Sequence, residues 1–400
     1  MSGRTGSEPP VVVLVDSYPK RLLGAQRRLL EWLDRWDRAR ATPVVVAPAE
    51  GDLPAAVRDR GVRLVLAPYP KALDLYGGGL LAGGPARKAA RGLAAARYAW
   101  GLRGLLKREG AAAVHCDDMR GVLTAGVAAK SLGLPLSRWS NLESPLGLLD
   151  KLELPLCDRV LLISDAMRDK YPPAQVKKYG HKLRTIYGGI DLSAVDAAGP
   201  DRARFGVPED AFVVAHAGSL NRRKGLDRLL AAWPRVVDAV PHARLLSAGG
   251  PGELAEDRAF AGSLPNRDLP SVTRLGHRED VPTLMHSADV CVLPSRHEGM
   301  GRVLVEAMAA GKPCVGSPAG GIPEVILHER TGLIVDDPDD PAALADALVR
   351  LARDPDLRTR FGEAGRHRAR TAFDGATCTD ALLDELYALP GRSRGRRVGR

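Results

Sequence analysis

The residues best suited to chemistry lie in positions 292–324, VLPSRHEGMGRVLVEAMAAGKPCVGSPAGGIPE. Two carboxylates, Glu298 and Glu306, stand eight positions apart around a glycine-bearing turn. A carboxylate accepts hydrogen bonds without donating any, which suits it to paired hydroxyl groups. At a rise of roughly 1.5 Å per residue, Glu306 lies on the order of 7 Å beyond the helix start. Both carboxylates can therefore reach one elongated ligand, but not one metal ion.

The elements that position these carboxylates are a strand, a turn and a helix. An apolar strand over 289–293 stops at Pro294, the turn covers 297–301, and a helix runs from about Arg302 to about Gly311. A second short strand over 313–316 leads into another glycine-rich turn at 319–321. Free N–H groups at a helix start favour an anion. The sequence therefore predicts a phosphate site at the backbone of Gly299, Met300, Gly301, Arg302 and Val303.

Four segments together resemble the retaining nucleotide-sugar glycosyltransferases of family 4, which have the GT-B fold. The resemblance covers roughly residues 11–388 and is strongest over 212–350. The Glu298–Glu306 spacing is similar to the family's E-x7-E motif. The other three segments are Gly218-x-Leu220…Lys224-Gly225, similar to G-R-L-x-x-x-K-G; Ile186…Gly189-Ile190-Asp191, similar to N-G-[VI]-D; and Asp289 to Ser295, similar to A-D-x-x-[VL]-x-P-S.

The resemblance implies that Glu298 contacts the donor hexose and Glu306 the nucleotide ribose. A leaving nucleoside diphosphate gains charge as the glycosidic bond breaks, so it needs fixed cations or N–H dipoles. Lys224 and Arg223 are expected to supply that charge, because Ser219 stands where the family often has an arginine; Arg222 is the weaker alternative. The expected donor-binding set also includes Gly218, Ser219, Arg278 and the turn at Gly24.

The strand that ends at 114–118 carries the candidate for the acceptor side. Asp117 stands where relatives often have a second histidine, and it is expected to bind an acceptor hydroxyl or to stabilise an oxocarbenium-like state. Asp118 is expected to cap the next helix, and His115 to be a core histidine. The resemblance implies retention of anomeric configuration. No acidic cluster follows a suitable strand, so we expect neither a catalytic metal nor a cofactor apart from the nucleoside-diphosphate sugar.

Alternation of apolar runs and helical patterns predicts two α/β domains, each a doubly wound parallel sheet. In the GT-B fold that the resemblance implies, these Rossmann-like domains face a cleft and the last helix crosses back. We predict an acceptor domain over 1–191, a donor domain over 192–388 and a basic disordered tail over 389–400. The stretch 192–210 is the expected linker, and residues 1–10 are expected to be disordered.

The composition is that of a globular protein without a membrane span or a signal sequence, which favours a cytoplasmic location. Five scattered cysteines (116, 157, 291, 314 and 378) are read as reduced core thiols. Residues 1–190 hold 30 Lys and Arg against 18 Asp and Glu, whereas residues 191–400 hold 28 against 30. This asymmetry indicates an anionic partner for the first half.

Two helices carry that positive charge. The helix over 85–108 has seven Lys or Arg interleaved with apolar residues, and the helix from Gly24 to about Arg40 has five more arginines. Basic amphipathic helices can lie on anionic lipid. We therefore expect a peripheral association with the inner membrane face and an acceptor that is a glycan, lipid-linked or a small molecule. A solvated basic face is the competing interpretation. Low aromatic content and the lack of a recognition module disfavour nucleic acid.

Two other functions fit the same architecture. A nucleotide-sugar 2-epimerase of GT-B fold would act without an acceptor, but such enzymes lack the E-x7-E spacing. A non-catalytic sugar-nucleotide-binding protein is disfavoured by the presence of Glu298, Lys224 and Glu306 together.

Overall fold

The structure is a computed structural model. It describes residues 8–18, 22, 24–73, 84–140, 150–252, 254–265, 269 and 271–392. The expected disorder of residues 1–7 and 393–400 lies outside the described residues.

Thirteen strands in the described part of the chain form two parallel sheets. The first sheet has the order β3-β2-β1-β4-β5-β6-β7 and the second the order β10-β9-β8-β11-β12-β13. The strands are β1 Val11–Val15, β2 Thr42–Ala47, β3 Arg63–Leu66, β4 Ala111–Cys116, β5 Leu136–Ser140, β6 Arg159–Leu162, β7 Leu183–Thr185, β8 Phe212–Ala217, β9 Ala243–Ala248, β10 Val272–Gly276, β11 Val290–Leu293, β12 Cys314–Gly316 and β13 Gly332–Ile334. In both sheets the second and third strands extend to one side of the first strand, and the later strands extend to its other side. This order confirms two doubly wound sheets.

Helices connect these strands, as parallel pairing requires. They are α1 Gly24–Asp34, α2 Asp52–Asp59, α3 Pro85–Arg108, α4 Met119–Gly121, α5 Val127–Ser131, α6 Asp150–Leu156, α7 Pro173–Tyr179, α8 Leu192–Asp196, α9 Leu226–Ala239, α10 Ala255–Ser263, α11 Val281–Ser287, α12 Arg302–Ala309, α13 Ile322–Val325, α14 Pro341–Arg353, α15 Pro355–Ala372 and α16 Gly375–Arg392. A π-helical turn over Val122–Gly126 joins α4 to α5, and short 3-10 turns include Asp165–Lys170 and Arg222–Lys224.

The chain divides into two compact units. The first holds the described residues up to Ile163, Arg168–Ile186 and the chain from Thr379 on; the second holds Ser164–Met167 and Tyr187–Cys378. Each unit has its own apolar core. The core of the first includes Val12, Trp32 and Trp139 together with four leucines of α16 (382, 383, 386 and 389), and the core of the second includes Val214, Trp233 and Phe361.

Several boundaries differ from the sequence-based expectations. Helix α1 ends at Asp34, about six residues early, because Asp37 accepts a hydrogen bond from its own near neighbour Ala39 N and the Trp36 indole donates to Ala41 O. Such local bonds compete with continued helix. The stretch expected as a linker contains α8 and belongs to the second unit. Residues 389–392, expected in the tail, belong to α16.

Two smaller expectations are confirmed. All five cysteines are free, and four of them are buried, whereas Cys378 is only half-buried. Cys291 and Cys314 are partners in the register between β11 and β12. Asp118 caps α4 by accepting from Gly121 N at 2.7 Å. In the described residues, none of the helices combines the length and the apolar character needed to cross a bilayer.

Candidate functional site

The candidate site of the second unit lies where its sheet order reverses. Strands β8 and β11 are neighbours there, with Val214 beside Val290. In sheets of this type ligands bind outside the carboxyl ends of the strands at this reversal. The loop after β8 covers residues 218–225 and the loop after β11 covers residues 294–301. Most of the residues expected to bind the donor are on these two loops.

The loop after β8 is held by local hydrogen bonds. The Asn221 side chain accepts from Lys224 N at 3.2 Å and thereby caps the short turn Arg222–Lys224. Gly225 follows with φ 73°, and a Cβ there would overlap the carbonyl oxygen of Pro294. Only glycine meets both conditions. The two loops therefore approach each other at backbone distance, which fixes the direction of the Lys224 side chain.

The loop after β11 is joined to the first loop along its length. Arg296 N donates to Arg223 O at 2.7 Å, and the Arg296 guanidinium binds Asp227 at 2.7 and 2.9 Å. Ser317 Oγ donates to Ser295 O at 2.6 Å, and Gly321 N donates to Glu298 O at 3.1 Å. Segments after three neighbouring strands thus hold the backbone around Glu298 in place.

Two cations converge on the carboxylate of Glu298. Lys224 Nζ lies 2.5 Å from Glu298 Oε2, and Arg223 Nη1 lies 3.6 Å from the same oxygen. The Ser295 hydroxyl donates to it at 3.4 Å, and Arg223 also donates to His297 O at 3.2 Å. Glu298 is only 8% exposed. With one carboxylate against two cations, this point keeps a net positive charge.

Helix α12 supplies N–H groups beside that charge. It begins at Arg302 after Gly301, which has φ 86° and provides no side-chain cap. The first N–H groups of a helix have no acceptor within it, so those of Arg302 and Val303 are open to a ligand. Met300 is buried beneath the turn. The structure thus places the predicted turn residues Gly299 to Val303 directly beside Glu298.

Glu306 lies four residues into the same helix. Burial raises the pKa of its carboxyl, and Arg302 opposes the shift. Among the described residues, no side chain or N–H group donates a hydrogen bond to it. A half-buried carboxylate of this kind is suited to accept from a pair of hydroxyl groups.

Of the remaining residues expected to bind the donor, Gly218 and Ser219 lie on the loop that carries Lys224, whereas Arg278 lies on a different loop. Gly218 follows β8 directly, and a Cβ there would touch the aliphatic chain of Lys224 at 3.5 Å. Ser219 accepts a hydrogen bond from the Asn221 amide at 3.0 Å. Arg278 follows the edge strand β10, pairs with Asp280 and lies over the Phe205 ring at 5.5 Å. No contact joins Arg278 to the Glu298 cluster in the described residues, so its role stays a prediction.

The corresponding position in the first unit, at the ends of β1 and β4, carries carboxylates instead. Asp117 binds Arg28 at 2.7 Å, and the Arg28 guanidinium lies over the Trp139 ring at 4.8 Å. Asp16 accepts from Tyr18 N at 2.7 Å and from the Gln26 amide at 2.8 Å. Burial, and then the nearby charge of Asp117, raise the pKa of Asp16 to about 7.

Other residues singled out in the first unit have clear positions. His115 is fully buried, its Nδ1 lies 2.7 Å from Ser137 Oγ, and burial lowers its pKa to about 3. It is therefore the core histidine that the sequence predicts. Gly24 begins α1, and its expected part in phosphate binding stays a prediction. In the part of the chain that the structure describes, no group of three or more His, Cys, Asp or Glu could hold a metal ion.

Sequence reasoning missed several residues that shape these positions. Asn221 could have been found, because an asparagine before a basic turn is a common cap. Arg28 left no signal, because its partner Asp117 lies 89 residues away in the sequence. Asp16 was missed although its partners Tyr18 and Gln26 are 2 and 10 residues away. Glu324 was missed too: its carboxylate accepts from Asp165 N and Ala166 N, both at 2.7 Å. Glu324 thus caps the short 3-10 turn Asp165–Lys170.

Comparison with known proteins first defines the fold class. The chain is similar to HepE from Anabaena, solved with UDP and glucose, with a TM-score of 0.71 and 21% identity over 94% of this chain and 99% of HepE. The fold is therefore GT-B, with two Rossmann-like units.

The second unit also matches a family. Residues 211–354 match the family model described as Glycosyl transferases group 1. A D-inositol 3-phosphate glycosyltransferase from Saccharomonospora viridis is 35% identical over 50% of this chain and 49% of its own length. An alpha-maltose-1-phosphate synthase from Mycolicibacterium smegmatis is 34% identical over 58% of this chain and 62% of its own. The chain thus spans about half to three-fifths of the length of these relatives, and the matched segment has the sequence pattern of a group 1 glycosyltransferase.

Proposed function

We propose that the protein is a retaining glycosyltransferase of family 4 that moves a sugar from a nucleoside-diphosphate sugar to an acceptor hydroxyl. The observation that carries the proposal is the convergence of Lys224 and Arg223 on Glu298 at the start of the helix that bears Glu306. The match of residues 211–354 to group 1 glycosyltransferases supports the same class. Because the relatives are matched over only part of their length, the activity rests on this site.

The proposed donor pose follows from the charges. The diphosphate lies at the N-terminus of α12, where N–H groups and the helix dipole favour an anion. Lys224 and Arg223 stabilise the charge that develops on the leaving phosphate. Glu306 accepts from the ribose hydroxyls, and Glu298 faces the hexose. Gly218, Ser219 and Arg278 are proposed as further donor contacts.

The acceptor reacts from the same face that the phosphate leaves, which retains the anomeric configuration. The leaving phosphate takes the proton of the acceptor hydroxyl as the new bond forms. Asp117 is proposed to bind that hydroxyl. Because the cations replace a metal in stabilising the phosphate, the reaction is proposed to be metal-independent, and EDTA should leave its rate unchanged.

The test starts with a thermal-shift panel of nucleotide sugars, beginning with UDP-sugars because HepE was solved with UDP. Glu306→Ala should weaken donor binding about tenfold or more, since a hydrogen bond to a charged group contributes roughly 1.5–3 kcal/mol. Glu298→Ala should reduce mainly turnover. Glu363→Ala, an exposed glutamate on α15, serves as the matched control. Unchanged donor affinity and rate in both site variants would refute the assignment.

Product analysis then separates the alternatives. Mass spectrometry of the reaction should find a glycosylated acceptor together with a free nucleoside diphosphate. The coupling constant of the anomeric proton in the product should show the same anomeric configuration as in the donor. An epimerised or hydrolysed sugar without a glycosylated product would favour the epimerase, and binding without any nucleoside diphosphate release would favour a non-catalytic protein.

A further inference from the structure

Helix α3 of the first unit has apolar residues on two opposite sides. One side is buried, with Ala99, Leu102, Leu105 and Leu106 packed on the unit. The other side bears Leu93 and Trp100, which are 65% and 72% exposed. Because they are seven residues apart, they lie on the same face of the helix, nearly two turns from each other. The helix is therefore anchored by one stripe and presents the other to its surroundings.

The exposure of Trp100 stands out against the other tryptophans. The chain has five, and Trp32, Trp36, Trp139 and Trp233 are all buried. A single exposed leucine is ordinary on a protein surface. A tryptophan and a leucine aligned on one helix face form a small apolar ridge, and its exposure is a cost that a binding partner would remove.

The surroundings of the ridge are strongly cationic. Helix α3 carries seven Lys or Arg and no acidic residue over its 24 positions. Within the described ranges, six of them have no carboxylate in ion-pair distance: Arg87, Lys88, Arg97, Arg103, Lys107 and Arg108. The Arg103 guanidinium lies over the Trp100 ring at 5.1 Å, so cationic and apolar groups share one surface.

Helix α1, the other basic helix, differs in this respect. Its Arg28 pairs with Asp117 at 2.7 Å, and Arg35, the residue after its end, pairs with Asp380 at 2.7 Å. Arg40, just beyond its end, pairs with Asp384 at 2.6 Å. These carboxylates neutralise most of the charge that the sequence places there. Of the two basic segments, α3 therefore keeps more positive charge without a carboxylate partner.

We propose that the outer face of α3 docks on an anionic lipid bilayer, with Trp100 and Leu93 entering the headgroup boundary and the cations lying on the lipid phosphates. Charge complementarity selects an anionic partner. The aligned apolar ridge selects lipid among anionic partners, because tryptophan favours the interface between water and hydrocarbon. The proposal is independent of sugar transfer, since no residue of α3 belongs to the proposed donor or acceptor site.

Co-sedimentation of the whole chain with vesicles tests the docking. The protein should pellet with vesicles that contain phosphatidylglycerol, but not with phosphatidylcholine alone. Binding should be lost near 1 M salt, where the screening length falls to about 3 Å. Equal binding to neutral and anionic vesicles, or no binding to either, would overturn the proposal.

Tryptophan fluorescence tests the orientation. Lipids brominated on their acyl chains quench only tryptophans that enter the bilayer, so anionic brominated vesicles should quench part of the emission. Trp100→Phe should abolish that quenching while the four buried tryptophans still emit. Quenching that persists in Trp100→Phe, or its absence while the protein is bound, would show that another surface docks.

Matched variants separate charge from apolar contact. The triple variant Arg97→Gln, Lys107→Gln, Arg108→Gln, at exposed cations on the side of α3 that bears Leu93 and Trp100, should lower partitioning on the order of a hundredfold, at about fivefold per cation. The double variant Arg35→Gln, Arg40→Gln, at cations that are already paired, should change the partitioning little.

The apolar contact is tested separately. Leu93→Ser with Trp100→Ser should weaken binding at least about tenfold, whereas Leu254→Ser, at an exposed leucine of the second unit, should not. All the changed residues of α3 are outside its buried stripe, and thermal melting checks folding. Loss of binding in the control variants to the same extent would refute the assignment to α3.

Discussion

The two units use the same position of the same fold with opposite charge. In the second unit, the loops after β8 and β11 bring Lys224 and Arg223 to one carboxylate, Glu298. In the first unit, the ends of β1 and β4 bring together Asp16, Asp117 and Asp118, which face two guanidinium groups, those of Arg28 and Arg120. The fold therefore determines the position at which a ligand can bind. The residues that follow the strands determine whether that position favours a ligand of negative or of positive charge.

The difference begins with the first residues after the central strands. Strand β8 is followed by Gly218 and Ser219, and strand β1 by Asp16 and Ser17. A glycine leaves the strand end open to an anion, whereas a buried aspartate excludes one. The second unit is thus suited to a diphosphate, and the first to a ligand that offers hydroxyl groups.

The largest expected effect comes from removing a cation of the second unit. Lys224→Ala should lower sugar transfer about 10²- to 10³-fold, the range for losing one charge contact in a transition state. Arg222→Ala is the matched control on the same turn, because it is the Arg222 carbonyl, not its side chain, that binds Arg296. Initial rates of nucleoside diphosphate release measure both. A Lys224→Ala rate near that of the unchanged protein, or a strict need for Mg²⁺, would show that the charge assignment is wrong.

The elements of the second unit were largely predictable because each has a strong local signal. The sequence predicts helices over 226–239, 281–287 and 341–353, and these are the bounds of α9, α11 and α14. The start signals are local: Gly225 precedes the first helix, and Asp280 and Asp340 precede the other two. The loop residues of the candidate site were also found from local motifs. What the motifs did not reveal is that Lys224 and Glu298, 74 residues apart, form a contact at 2.5 Å.

The first unit was harder to predict because its important contacts are non-local. Asp117 meets Arg28 across 89 residues, which follows only from the pairing of β1 with β4. The sequence pattern predicts a helix over 123–132 after Asp118, but the helix begins at Met119 and contains a π-helical turn. Helical periodicity does not reveal an inserted residue of this kind. Strand order and backbone irregularity are therefore the parts that the sequence leaves open.

A smaller effect concerns the buried carboxylate of the first unit. The pKa of Asp16 is about 7 in the folded protein, against an ordinary value of 3.8. Between these pH values the folded state keeps a proton that the unfolded chain releases, so this group lowers the free energy of unfolding as pH rises from about 4 to about 7. The slope approaches 1.4 kcal/mol per pH unit at most.

Asp16→Asn should remove that contribution. Asparagine mimics the protonated carboxyl, and Gln26 can turn its amide so that its unpaired Oε1 accepts from the new amide. The variant should therefore gain stability over the unchanged protein as pH rises towards 8, measured by urea unfolding at a series of pH values. In Asp196→Asn, where Arg370 holds the pKa of the carboxyl low, the difference should not vary between pH 5 and 8. A constant difference for Asp16→Asn across this range would contradict the assignment.

The smallest expected effect separates the two units most directly. Asp117→Asn removes one charge at the end of β4 but keeps an oxygen for the Arg28 guanidinium, so the local fold should survive. If Asp117 binds the acceptor hydroxyl, kcat/KM for the acceptor should fall about tenfold, the usual loss when a charged hydrogen-bond partner becomes neutral. Donor affinity, measured by calorimetry with the nucleotide sugar, should stay unchanged, because Asp117 is not among the proposed donor contacts. Arg28→Gln should produce a similar fall by leaving Asp117 without its cation. A weaker donor affinity with normal acceptor kinetics would show that Asp117 serves the donor, and that the charge difference between the two units does not divide their roles.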